Sequence, residues 1–83
     1  MTEEKIKEII DALSELNDDV SVPKNIKTKI TNIISILGDD SELSIRMNKA
    51  LNELDEISDD TNMQSYTRTQ IWNIVSMLES IHS

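Results

Sequence analysis

Apolar residues recur at helical spacing in four blocks separated by short polar stretches. In the first block Ile6, Ile9, Ile10, Leu13 and Leu16 form one stripe of an amphipathic helix. This predicts helix 1 over residues 3–17. Thr2 is its expected N-cap, Glu3 and Glu4 sit in the first turn, and Asn17-Asp18-Asp19 ends it. Helix 2 is expected to begin with Pro23 at the first helical position, where a missing N–H costs nothing. Its stripe is Ile26, Ile30, Ile33, Ile34 and Leu37, and Gly38 is placed to close it in the left-handed region. Helix 3 is expected to be capped by Asp40 or Ser41, with Glu42 in its first turn. Leu43, Met47, Ala50, Leu51, Leu54 and Ile57 make its stripe, and Ile45 falls nearly opposite. After a turn over residues 58–62, helix 4 is expected over 64–81, with Ile71, Ile74, Val75, Leu78 and Ile81 inward and Ser65 as a candidate cap.

The second half repeats the first at an offset of about 41 positions. Leu13/Leu54, Glu15/Glu56, Asp18/Asp59, Asp19/Asp60, Thr28/Thr69, Ile30/Ile71, Asn32/Asn73, Ile33/Ile74, Ser35/Ser76 and Leu37/Leu78 are identical pairs. Leu16/Ile57, Val22/Met63, Lys27/Arg68 and Ile34/Val75 are conservative, and upstream Ile6/Met47, Ile9/Ala50 and Ile10/Leu51 match in apolar character. The expectation is a tandem pair of helical hairpins, repeat 1 over about 3–38 and repeat 2 over about 41–82, in one domain spanning 1–83. Short loops set consecutive helices antiparallel. The predicted fold is therefore an all-α, antiparallel up-and-down four-helix bundle. Two stacked solenoid units are the runner-up, but these would leave both ends apolar, and the chain has no separate capping units.

Charge narrows the functions. The net charge is −8, from 16 acids against 8 bases, which argues against a sequence-independent nucleic-acid binder. The acids crowd helices 1 and 3, while helices 2 and 4 are neutral or basic, so neighbouring helices are expected to complement each other along their edges. With no cysteine, disulfides and thiolate metal sites are excluded. No signal pattern and no long apolar run is present, so a cytoplasmic protein is expected.

The segments VPKNI (22–26), LDEISDDTNM (54–63) and YTRTQIWNIVSMLE (66–79) resemble a family of short archaeal proteins of unknown function, an uncharacterised family. The resemblance covers nearly the whole chain and is strongest from Leu54 onward. It implies a compact all-α four-helix bundle and carries over no catalytic or ligand-binding residue. Gln64 stands where the family usually has a proline, as Pro23 does in the first half.

Chemistry has little to work with. The single histidine, His82, lies beside the C-terminus, where a solvated side chain is expected. A nucleophile would have no base beside it. One glycine cannot build a phosphate loop. Asp55 and Glu56 flank core positions on what should be a solvated helix face. Asp18-Asp19, Asp39-Asp40 and Asp59-Asp60 are acidic turn doublets, the first and third at one end of the bundle; hard cations favour such oxygens, but no EF-hand spacing accompanies them. No catalytic residue, cofactor or metal is expected, and the chain reads as a non-enzyme.

The over-specified residues lie in helix 4: Tyr66, Arg68, Trp72 and Asn73. Repeat 1 has Thr31 in place of Trp72, so the fold does not demand tryptophan there. Trp72 is read either as an edge-wrapping residue with its N–H bonded locally or as an interface anchor, since Trp, Tyr and Arg are enriched in hot spots. The expected function is a small protein–protein interaction module or adaptor working through the low-charge surface of helices 2 and 4. Trp72 is the anchor, with Tyr66, Arg68 and Met77 around it and Lys24 and Lys27 nearby. The alternatives are a structural homodimer and, through Lys24, Lys27 and Arg68, a weak RNA-associated accessory protein.

Overall fold

Four helices follow in order: α1 (Thr2–Asn17), α2 (Lys24–Leu37), α3 (Leu43–Ser58) and α4 (Ser65–His82). The computed structural model describes residues 2–60 and 63–82, without the side chains of Thr2 and His82. The expected second turn thus falls partly, and the expectation for His82 wholly, outside the described residues. Around the ring α1 packs on α2, α2 on α3, α3 on α4, and α4 closes back on α1. Among the described residues the diagonal pairs α1/α3 and α2/α4 do not pack backbone against backbone. A two-unit solenoid would stack α1 on α3 and leave α4 away from α1, so the arrangement is a four-helix bundle.

Each helix turns its predicted stripe inward. The buried residues of α1 and α2 are Ile6, Ile9, Leu13, Leu16, Val22, Ile26, Ile30, Ile33 and Leu37, counting Val22 just ahead of α2. Those of the second half are Met47, Ala50, Leu54, Ile57, Met63, Thr67, Ile71, Ile74 and Leu78. The two sets correspond one to one at the offset found in the sequence. One position changes character: Ile26 is matched by Thr67, 1% exposed, whose hydroxyl has no hydrogen-bond partner among the described residues.

The helix ends differ from the expectations. α1 already includes Thr2. Pro23 is the N-cap of α2 and not its first helical residue, with φ −58° and ψ 148°, and its carbonyl accepts the Lys27 N–H at 3.0 Å. Gly38 is right-handed, with φ −88° and ψ 0°. The left-handed closure is unnecessary because the Arg46 guanidinium donates to the Leu37 carbonyl at 2.9 Å. Glu42, not Asp40 or Ser41, is the N-cap of α3, because the Ser41 hydroxyl is taken by the Asp39 carboxylate. Gln64 offers its carbonyl to the Arg68 N–H at 3.0 Å, so Ser65 lies inside α4 and does not cap it.

Candidate functional site

A few charged side chains hold helices together. Lys29 of α2 pairs with Glu56 of α3 at 2.9 Å, and the bond raises the lysine above its usual range, with Glu53 and Asp60 adding to it. Arg46 joins three helices: it caps α2 at Leu37 and pairs with Glu3 of α1 at 2.9 Å. Asn25 donates to the Asp60 carboxylate at 3.1 Å, tying the start of α2 to the turn after α3. In the turns, Asp19 is held below its ordinary value by the Ser21 backbone N–H and hydroxyl, and Asp39 by the Ser41 hydroxyl. Among the described residues no three His, Cys, Asp or Glu side chains converge as metal ligands would.

Arg68 has a similar structural use. Its guanidinium donates to the Ser58 carbonyl at 2.8 Å and the Asp60 carbonyl at 3.0 Å, closing the C-terminal end of α3. This fixes which flank of α4 faces α3. Each helical residue turns by about 100°. Trp72 and Val75 therefore share the Arg68 flank, within about 60° of one another. Tyr66 and Met77 lie about 120° and 140° round from Trp72, on the opposite flank. There Tyr66 lines a groove with Ala12, Glu15 and Leu16, and Met77 one with Lys5, Glu8 and Ile9, all of α1.

The six residues grouped by the sequence thus fall in three places. Trp72 and Arg68 belong to the α3–α4 side, and Tyr66 and Met77 to the α1–α4 side. Lys24 and Lys27 are on α2, which lies diagonally across the bundle from α4, with Lys27 close enough to Asp19 to help lower it. Helices 2 and 4 present separate surfaces on opposite sides of the bundle. Asn32 and Asn73, open as a register contact or a solvated pair, are both exposed.

Trp72 is 58% exposed, and among the described residues its indole N–H has no partner. Helical periodicity aims it outward from the α3–α4 side, between Thr69 and Ser76. On α3, Asn48, Asn52 and Asp55, all exposed, line a groove with half-buried Leu51, on the flank that helical periodicity turns toward α4; Leu51 and Val75 pack against the core. Asp55 is the acid in the middle of this side; Asp59 and Glu79 lie toward its ends. Sequence reasoning passed over these α3 residues because α3 as a whole is acidic. Two of its acids, Glu53 and Glu56, act on Lys29 across the α2 flank, so the acids of α3 are split between its two flanks. A comparison of exposed positions between the halves carries the signal: Lys7 and Asp11 of α1 become Asn48 and Asn52 in α3.

Among the described residues no helix is long and apolar enough to cross a membrane. No curated protein matches the chain. Two solved structures do. The crystal structure of the unknown-function protein MMP1188 is 44% identical, with a TM-score of 0.86, covering 92% of this chain and 88% of that one. A protein of Thermoplasma acidophilum from uncharacterized family UPF0147 is 30% identical, with a TM-score of 0.89, covering 94% and 93%. The model of that family matches residues 1–81. With fold, length and sequence in agreement, the chain belongs to the uncharacterised protein family UPF0147.

Proposed function

We propose that the chain is a small non-catalytic protein–protein interaction module whose docking surface is the α3–α4 side of the bundle, with Trp72 as its anchor. The observation that carries this reading is a large aromatic side chain left 58% exposed, in the middle of α4, on a face whose middle holds a single charge, Asp55. Desolvating a tryptophan is the contact most often decisive in an interface. Here its neighbours along α4 are the small and neutral Thr69 and Ser76, and the adjoining flank of α3 carries Asn48 and Asn52 with Asp55. Arg68, expected as a contact, supports this surface by closing α3 beneath it. Tyr66, Met77, Lys24 and Lys27 lie off it.

The bundle is also read as two tandem copies of one hairpin. The one-to-one correspondence of buried positions supports this. On that reading the two sides α1–α2 and α3–α4 began alike, and Trp72 in place of Thr31 is a later acquisition of one side. The test is affinity capture from lysate of the source cells with the native chain and with Trp72→Thr, which installs the residue of the other side. A protein recovered with the native chain and lost from the folded variant is the expected result. Equal recovery with both would remove Trp72 from the function.

A further inference from the structure

We infer that the occupant of the α3–α4 side is a second copy of this chain, the two bundles pairing about a two-fold axis with α4 antiparallel to its mate and Trp72 against Trp72. This rests on the docking surface proposed above and names its partner. Charge is the first argument. Two bodies of −8 can meet only where acids are sparse. The α1–α4 side presents Glu8 and Glu15 beside Lys5 in and along its grooves; on the α3–α4 side Asp55 is the acid of the middle, and Asp59 and Glu79 lie toward the ends, away from the proposed axis. Its polar groups are also self-complementary, because the amides of Asn48 and Asn52 each donate and accept, and an antiparallel two-fold can set Asn48 of one copy against Asn52 of the other.

Register is the second argument. Trp72 lies close to the middle of α4 (Ser65–His82). An antiparallel mate centred there brings Glu79 opposite Ser65. The first turn of α4 contains no acidic residue of its own, and its dipole favours a carboxylate. Area is the third. A quarter of the 5172 Å² accessible surface is about 1,300 Å², so burying two-thirds of one side reaches the roughly 800 Å² per partner of a standard interface. The pairing closes at two. The opposite side, with Thr31 and the charges of Lys7, Asp11, Lys24 and Lys27, offers no second adhesive face from which a filament could grow.

The experiment is sedimentation equilibrium of the intact chain from about 5 µM to about 1 mM, read together with emission from its one tryptophan. The expected result is a monomer–dimer equilibrium with emission shifting to the blue as the dimer forms. Trp72→Thr should weaken it at least about thirtyfold with helicity retained. Asn52→Glu, on an exposed position away from the core, should weaken it by about tenfold or more, and it keeps the test open if the tryptophan variant misfolds. Asp55→Asn should tighten the dimer severalfold. Asp11→Asn makes the same charge change off this side and should move it less than about twofold.

A monomer throughout the range overturns the self-pairing. If Trp72→Thr still loses a captured protein in that case, the interaction-module reading stands with a different partner. A dimer indifferent to Trp72→Thr and Asn52→Glu overturns the assignment of this face.

Discussion

The α1–α2 side and the α3–α4 side of the bundle stand on the same buried pattern and present different surfaces. Beneath both, apolar residues occupy matching positions, Leu13 with Leu54 and Ile33 with Ile74. Above, one side carries Lys7, Asp11, Lys24 and Thr31, and the other Asn48, Asn52, Ser65 and Trp72 in the corresponding places. A shared core with unlike exteriors separates what the fold requires from what it does not. Packing accounts for the first set, while Trp72 is surplus to it.

The comparison breaks most visibly in the core. Leu13→Ala and Leu54→Ala each remove a fully buried leucine at corresponding positions. Each should cost about 2–5 kcal/mol in urea unfolding, and the two costs should agree within about 1 kcal/mol. A small bundle has little stability to spare, so either variant will be largely unfolded at the melting temperature of the native chain. Strongly unequal costs would mean that the two halves do not share one packing arrangement.

The next largest effect separates Arg68 from Lys27. Arg68 closes two carbonyls at the end of α3, and Lys27 makes no such bond among the described residues. Arg68→Ala should cost about 1.5–3 kcal/mol, and Lys27→Ala no more than about 0.5 kcal/mol. Thr67 offers a gain. Replacing its unpartnered buried hydroxyl by a methyl group in Thr67→Val restores the apolar character of Ile26 and should stabilise the chain by about 1 kcal/mol, read as a rise in denaturation midpoint.

The smallest effect is set by pH. The seam between α2 and α3 has the Lys29–Glu56 pair, whereas the matching position in the α4–α1 seam is the uncharged Gln70. Glu56 raises the lysine above its unfolded value of about 10.4. Its contribution is therefore fully present below that pH and is lost as pH rises through the raised folded value. Lys29→Gln should flatten this part of the alkaline stability profile and leave the neutral range nearly unchanged.

The core was legible in the sequence because burial follows a helical period that Ile6, Ile9, Leu13 and Leu16 already display. Helix ends were less so. Their backbone groups are satisfied by residues distant in sequence, as Leu37 is by Arg46, or their expected caps are diverted, as Ser41 is to Asp39. The surface was half legible. Trp72 stood out by its contrast with Thr31, but Tyr66, Arg68 and Met77 were grouped with it by nearness along α4, when the angle around a helix decides which residues share a side. Asn48 and Asn52 were hidden because charge was averaged over α3, while Glu53 and Glu56 act across the other flank.

The central claim is that Trp72 serves docking and not folding. The urea unfolding curve of Trp72→Thr, recorded dilute so that association does not contribute, tests it most directly. The account predicts a curve within about 0.5 kcal/mol of the native chain. A loss of about 2 kcal/mol or more would make Trp72 part of the structure, and the docking surface built around it would fall.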